Sequence, residues 1–188
     1  METQVPRFDP RAGSHSIELK LKDVTQLFNS LDPSPFDSKD LDHDAEEFIE
    51  SWARELDTKG QLHLRLHIDN PLIAPWSPDA VQDSVRHYFA YRATMSRLEL
   101  RHLFKTGRIT LMIGVSFLAL CIFISQFIGY RLVNSQIAGV LVESLTIIGW
   151  VAMWRPMQIY LYDWWPIKRR TMLLERLSRM KVDIKSAG

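Results

Sequence analysis

Two alternating stretches come before any long apolar run. In SIELKLKD, Ile17, Leu19 and Leu21 fall on one side, and Glu18, Lys20 and Lys22 on the other. A period of two marks a half-buried strand. QLHLRLHID repeats it with Leu62, Leu64, Leu66 and Ile68. Between them lies LFNSLDPSPFDSKDLDHDAEEFIESWAREL, whose first part is acidic and broken by proline. There Asp44 is placed to cap a helix, with Glu47 three residues on completing a capping box. Phe48, Ile49, Trp52, Ala53 and Leu56 mark its apolar face. The order is strand, loop, helix, strand.

A long helix is predicted after Pro75. Ser77 suits the N-cap, Pro78 the first helical position, and Asp79 the positive end of the dipole. No proline interrupts Val81 to Tyr130, and Val81, Val85, Tyr88, Met95 and Leu98 recur at helical spacing. This helix is expected to run straight, or hinged at Gly107, into ITLMIGVSFLALCIFISQFIGY (109–130), which holds no charge. Its part before that stretch would reach about 45 Å. QIAGVLVESLTIIGWVAMW (136–154) holds one charge, Glu143. A bilayer span needs about 20 mostly apolar residues, so both stretches qualify.

Lysine and arginine set the expected orientation. Arg97, Arg101, Lys105 and Arg108 precede the first span, Arg155, Lys168, Arg169 and Arg170 follow the second, and the connection offers Arg131. The positive-inside rule then places both termini in the cytoplasm. METQVPRFDPRAG lacks the apolar run of a signal peptide, so export of the N-terminus is not expected. Beyond the second span, Trp154, Tyr160, Tyr162, Trp164 and Trp165 form an interfacial aromatic belt. Pro156 should bend the chain, Pro166 should start a helix with Leu173, Leu174 and Leu177 on one side, and KVDIK could add a third strand.

The predicted fold class is an α+β membrane protein. It combines a two-helix transmembrane hairpin, a long first helix extending into the cytoplasm, and a small cytoplasmic domain of two or three strands plus a helix. The divisions are a flexible tail (1–15), a cytoplasmic α/β domain (16–76), a cytoplasmic helix (77–108), a first span (109–130), an external turn (131–135) and a second span (136–155). An interfacial aromatic segment, amphipathic helix and C-terminal strand fill 156–188. So small a sheet buries little apolar area, which favours a homo-oligomer.

Of 188 residues the formal net charge is +1, which argues against a strongly basic nucleic-acid binder. The single cysteine, Cys121, lies in the first span, so no intrachain disulfide is expected.

SLDPSPF (30–36), DLDHDAEEFI (40–49), YRATMSRLELRHLFKTGR (91–108), GWVAMWRP (149–156) and LYDWWP (161–166) together resemble an uncharacterised family of bacterial double-span inner-membrane proteins. The resemblance covers most of the chain from about Ile17 onward. It implies a bacterial source and a double-span architecture, and brings no catalytic residues.

Glu143 is the main candidate for function. It lies about 12 Å into its span by helix rise, and charged groups at depth are costly and usually face protein or water. Gly139, Thr146 and Trp150 share its helical face, and Gly114, Cys121 and Ser125 recur at matching steps on the first span. With antiparallel helices, Cys121 and Ser125 should lie near its depth. Glu143 then serves either as a neutral carboxyl bonded across the helix pair or to a neighbouring subunit, or as a proton or cation site; Arg131 could also reach it by snorkelling. Asp40, Asp42 and Asp44 mimic the start of an EF-hand loop, but Ala45 and Ser51 stand where glycine and glutamate are needed, so acidic residues favouring a helix N-terminus are the plainer reading. His63 and His67 on one strand are about 13 Å apart, too far for one metal. Trp154, Trp164, Trp165, Arg155, Lys168, Arg169 and Arg170 form a collar suited to membrane lipid head groups or to plain topology anchoring. Phosphate-loop, hydrolase-elbow and zinc-protease signatures are absent. No catalytic residue, metal or cofactor is therefore expected. The sequence favours a non-enzymatic oligomeric inner-membrane scaffold or assembly protein. An oligomeric ion or proton channel with Glu143 in or near the pore, and an accessory subunit of a larger complex with a protein partner, are the alternatives.

Overall fold

The computed structural model describes residues 7–9, 14–35, 39–56, 60–69, 77–131 and 136–186. The elements are β1 (Arg7–Asp9), β2 (Ser14–Leu21), α1 (His43–Glu55), β3 (Gln61–Ile68), α2 (Pro78–Arg131), α3 (Gln136–Ala152), α4 (Trp154–Gln158), a π-helical turn (Ile159–Asp163), α5 (Trp164–Leu177) and β4 (Lys181–Ser186). The chain divides into two compact units, one of residues 1–96 and 169–188, the other of residues 97–168. The expected turn at 131–135 falls, after Arg131, outside the described residues.

The first unit holds a sheet in the order β1-β2-β3-β4. Both predicted strands form, and KVDIK supplies β4. Strands β2, β3 and β4 are parallel, with Leu19 opposite Leu66 and Leu66 opposite Ile184. Parallel neighbours need a long crossover, and here helices lie in both links. A part of the expected loose tail is ordered. β1 pairs antiparallel with β2, Arg7 opposite Ser16 and Asp9 opposite Ser14, which satisfies backbone groups along β2's outer edge.

One face of this sheet carries the core. Ile17, Leu19, Leu64, Leu66 and Ile68 are at most 1% exposed, and they pack with Ile49 of α1, Val85 and Phe89 of α2, and Leu174 and Leu177 of α5. On α2 the buried stripe continues through Phe89 and Ala93, whereas Met95 and Leu98, expected to join it, are exposed. On α1 the N-cap is Asp42, not Asp44, and its carboxylate accepts from the Asp44 N–H. Asp42 is fixed there because its own N–H donates to the Leu27 carbonyl. Three residues on stands Ala45, so no capping box forms. Ser77 caps α2 as predicted, accepting from the Ala80 N–H.

In the second unit, α2 continues unbroken through Gly107 to Arg131. Both α2 and the segment Gln136–Leu177 are long and apolar enough to cross a membrane. Only 17% and 11% of their apolar windows are buried, so the described residues of the chain leave most of that apolar surface uncovered. Helix α3 stops at Ala152. Pro156 has no N–H to give the Ala152 carbonyl, and the chain tightens there: the Met153 N–H donates to Trp150 O at 3.0 Å. Helical structure resumes at once, and α5 begins two residues before Pro166.

Candidate functional site

Within the second unit, α2 and α3 approach through small residues. A Cβ added to Gly149 would lie 2.8 Å from Leu118 Cδ1 and 3.3 Å from Cys121 Cβ. One added to Gly114 would lie 3.2 Å from the Ala152 carbonyl oxygen, and one added to Gly107 would lie 2.9 Å from Ile159 Cγ2. These contacts run in opposite order along the two segments. They put Gly107, Gly114, Cys121 and Ser125 on one buried stripe of α2, facing the buried Ala138 and Gly149 of α3. Small residues that let backbones close in are the usual glue between apolar helices.

The α2 stripe is the one anticipated from sequence; the α3 stripe is not. Glu143 follows the half-buried Val142 by one residue, about 100° around the helix. Glu143, Gly139 and Trp150 are exposed, and a Cβ on Gly139 would touch nothing within 4 Å. Thr146 is half-buried and donates to its own helix, to Val142 O at 2.9 Å. Among the described residues Glu143 has no hydrogen-bond or ion-pair partner. Cys121 and Ser125 are therefore buried in the helix pair, while Glu143 points out of it, and the expected bond across the pair does not form inside one chain. Arg131 lies over the Phe127 ring instead, 5.3 Å from its centroid.

The collar residues sort themselves by partner. Arg155 donates to Asp163 at 3.2 Å across the π-helical turn, and Trp164 Nε1 donates to Tyr160 O. Lys168 sits 5.4 Å from the Trp164 ring centroid. Trp154 and Trp165 are exposed, and so is Arg169.

Arg170 belongs to the first unit and pairs there with Glu50 at 3.7 Å. This is part of a cluster that sequence reading missed. Glu46 and Glu50, one turn apart on α1, are each 7% exposed. Glu46 accepts from the Tyr88 hydroxyl at 2.7 Å and pairs with Arg92. Glu50 lies between Arg170 and Arg54, and its Oε1 is buried without a hydrogen bond. Burial pushes the Glu50 carboxyl up; the Arg170 charge opposes this and Glu46 adds to it. Burial and Glu46 push the Tyr88 phenol up as well. His43, Glu46, Glu50, Arg92 and Arg170 line a cavity of about 350 Å³. The available signal was the spacing itself: Glu46 and Glu50 fall about 20° and 60° beyond Ala53, at the edge of the arc of Ala45, Ile49 and Ala53. The cavity's acidic and basic side chains already neutralise one another, which makes the cluster a tie between α1, α2 and α5.

His63 and His67 have structural partners, and so does Asp32, which was not a sequence candidate. Asp32 accepts from the Asp40 and Ser34 N–H groups, which hold its carboxyl below the usual range. On the polar side of the sheet Glu18 pairs with Arg65 at 3.4 Å and His67 at 3.5 Å, while His63 lies 4.0 Å from Asp183. Compared with family models, curated proteins and solved structures, the chain finds no match.

Proposed function

We propose that this chain is a non-enzymatic, homo-oligomeric membrane scaffold whose subunits meet along the Gly139–Glu143–Trp150 face of α3. The reading takes α2 and α3 as a transmembrane hairpin in a bacterial inner membrane, with both termini in the cytoplasm. The carrying observation is Glu143: exposed, without a partner among the described residues of its own chain, and in the middle of an apolar helix. A charged residue at a helix centre costs about 3 kcal/mol in lipid. Gly139 beside it leaves room for a second helix to approach closely. A neighbouring subunit would cover the carboxyl and supply its hydrogen bond.

Mass measurement of the detergent-solubilised particle tests this. The wild type should form a defined oligomer, Glu143→Gln should keep it by retaining an amide partner, and Glu143→Leu should dissociate it. A monomeric wild type would end the scaffold reading. Ion or proton flux in proteoliposomes, abolished by Glu143→Gln, would replace it with a channel.

A further inference from the structure

The structure divides the basic collar into cations already engaged and cations left open. Arg155 is held by Asp163, and Arg170 by Glu50. Arg101, Lys105 and Arg108 are exposed along α2, one turn apart, and Lys168 is exposed beside Trp164. None of these four has an acidic partner among the described residues. They share the second unit with a cluster of outward-facing apolar and aromatic side chains: Trp154 is 66% exposed, Leu161 55%, Tyr162 68% and Trp165 51%. The two sets are brought together where Phe104 and Gly107 of α2 meet Tyr160 and Ile159; the Phe104 and Tyr160 rings are 6.2 Å apart.

Open cations beside exposed tryptophan and tyrosine, next to an apolar helix pair, match one environment. Indole and phenol rings favour the boundary between hydrocarbon and water, and ammonium and guanidinium groups there attract phosphate. A soluble partner would more often meet an apolar patch rimmed by mixed charge, whereas this one is rimmed by positive charge, with Glu99 as the acid on the α2 segment.

We propose that Arg101, Lys105, Arg108 and Lys168 form a binding surface for anionic phospholipid head groups, with Trp154 and Trp165 seated among the acyl-chain ends. Arg155 and Arg170, expected from sequence to share this role, brace the fold instead. The proposal rests on the membrane reading above, but not on oligomerisation.

The test is lipid retention by the purified full-length protein. Protein in mild detergent is given dioleoyl phosphatidylglycerol or dioleoyl phosphatidylcholine, and bound lipid is read by native mass spectrometry. Phosphatidylglycerol should be retained in preference. Replacing all four cations by glutamine should weaken retention roughly fivefold per charge, on the order of several hundredfold if the four contributions add. The charge-neutral double variant Arg155→Gln/Asp163→Asn should retain lipid like the wild type. The surface is refuted by equal retention of the two lipids, by an unchanged quadruple variant of normal particle mass and helicity, or by displacement of lipid with millimolar inorganic phosphate. Sedimentation separates the underlying reading: protein that stays in the supernatant without detergent sinks the membrane assignment itself, whereas membrane-bound protein lacking lipid preference sinks this surface alone.

Discussion

The Tyr88 hydroxyl donates to Glu46 Oε2 at 2.7 Å, and each residue is 7% exposed. One bond thus joins the buried sides of α1 and α2. It also gives a buried carboxyl group a donor inside a domain whose core is small. Hydrogen bonds to charged groups contribute about 1.5–3 kcal/mol. Tyr88→Phe should lower stability by about that much, because Glu46 stays buried with Arg92 as its main counter-group. Thermal or denaturant unfolding, followed by circular dichroism, reads the loss; an unchanged midpoint would mean that Arg92 alone satisfies Glu46.

Glu50 makes stability depend on pH. Burial raises its carboxyl above the ordinary value of 4.5. The folded state therefore holds this proton at a pH where the unfolded chain has released it. The resulting stabilisation is complete below 4.5 and fades as pH rises through the folded value. Glu50→Gln should flatten this slope: between pH 4.5 and 7.5 its melting temperature should fall less than that of the wild type. Asp32 acts in the opposite sense. Its carboxyl is lowered from 3.8, so its contribution is present above that value and fades as pH falls below it.

Two glycines on one helix should answer to different measurements. Gly149→Ala puts a methyl 2.8 Å from Leu118 Cδ1 and 3.3 Å from Cys121 Cβ, so the Leu118 side chain must shift, at a cost of about 1 kcal/mol of helix-pair stability. Gly139→Ala meets nothing within 4 Å in its own chain. It should not lower the chain's own stability, since alanine favours the helix over glycine by up to about 1 kcal/mol, and should instead reduce particle mass, if the α3 face joins subunits. Mass and melting temperature measured on the same preparations separate the two.

Arg176 ties the end of α5 to the start of β3: its guanidinium donates twice to the Gly60 carbonyl, at 2.8 and 3.1 Å. Arg176→Lys keeps the charge but loses the forked geometry. It should destabilise the sheet unit by about 1 kcal/mol, with faster hydrogen exchange in β3 as the readout.

Strands and long apolar helices were legible because each repeats one signal over many residues. The alternation of Leu62, Leu64, Leu66 and Ile68 could hardly be misread, and Val182 and Ile184 carry enough of it to betray β4. Arg7–Asp9 has only three residues and no apolar rhythm, so β1 was invisible; what defines it is the unpaired edge of β2. Parallel pairing was equally hidden, since alternation reports which face is buried and not which way a neighbour runs. Glu46 and Glu50 went unremarked because their partners, Arg92 and Arg170, lie far along the chain. On α3, small residues at 138 and 149 and at 139 offered two adjacent stripes. Sequence favoured the one containing Glu143, whereas the contacts with Leu118 and Cys121 selected the other.

The position of β4 also has a temporal consequence. Its pairing with β3 closes the sheet, yet residues 181–186 follow both apolar helices in the chain. On the ribosome, β2, α1 and β3 emerge with one flank of the sheet still vacant, and the hydrophobic segments are made before that flank can be filled. Folding of the polar unit therefore finishes only after both long apolar helices have been synthesised, and residues 181–186 set the last step of its closure.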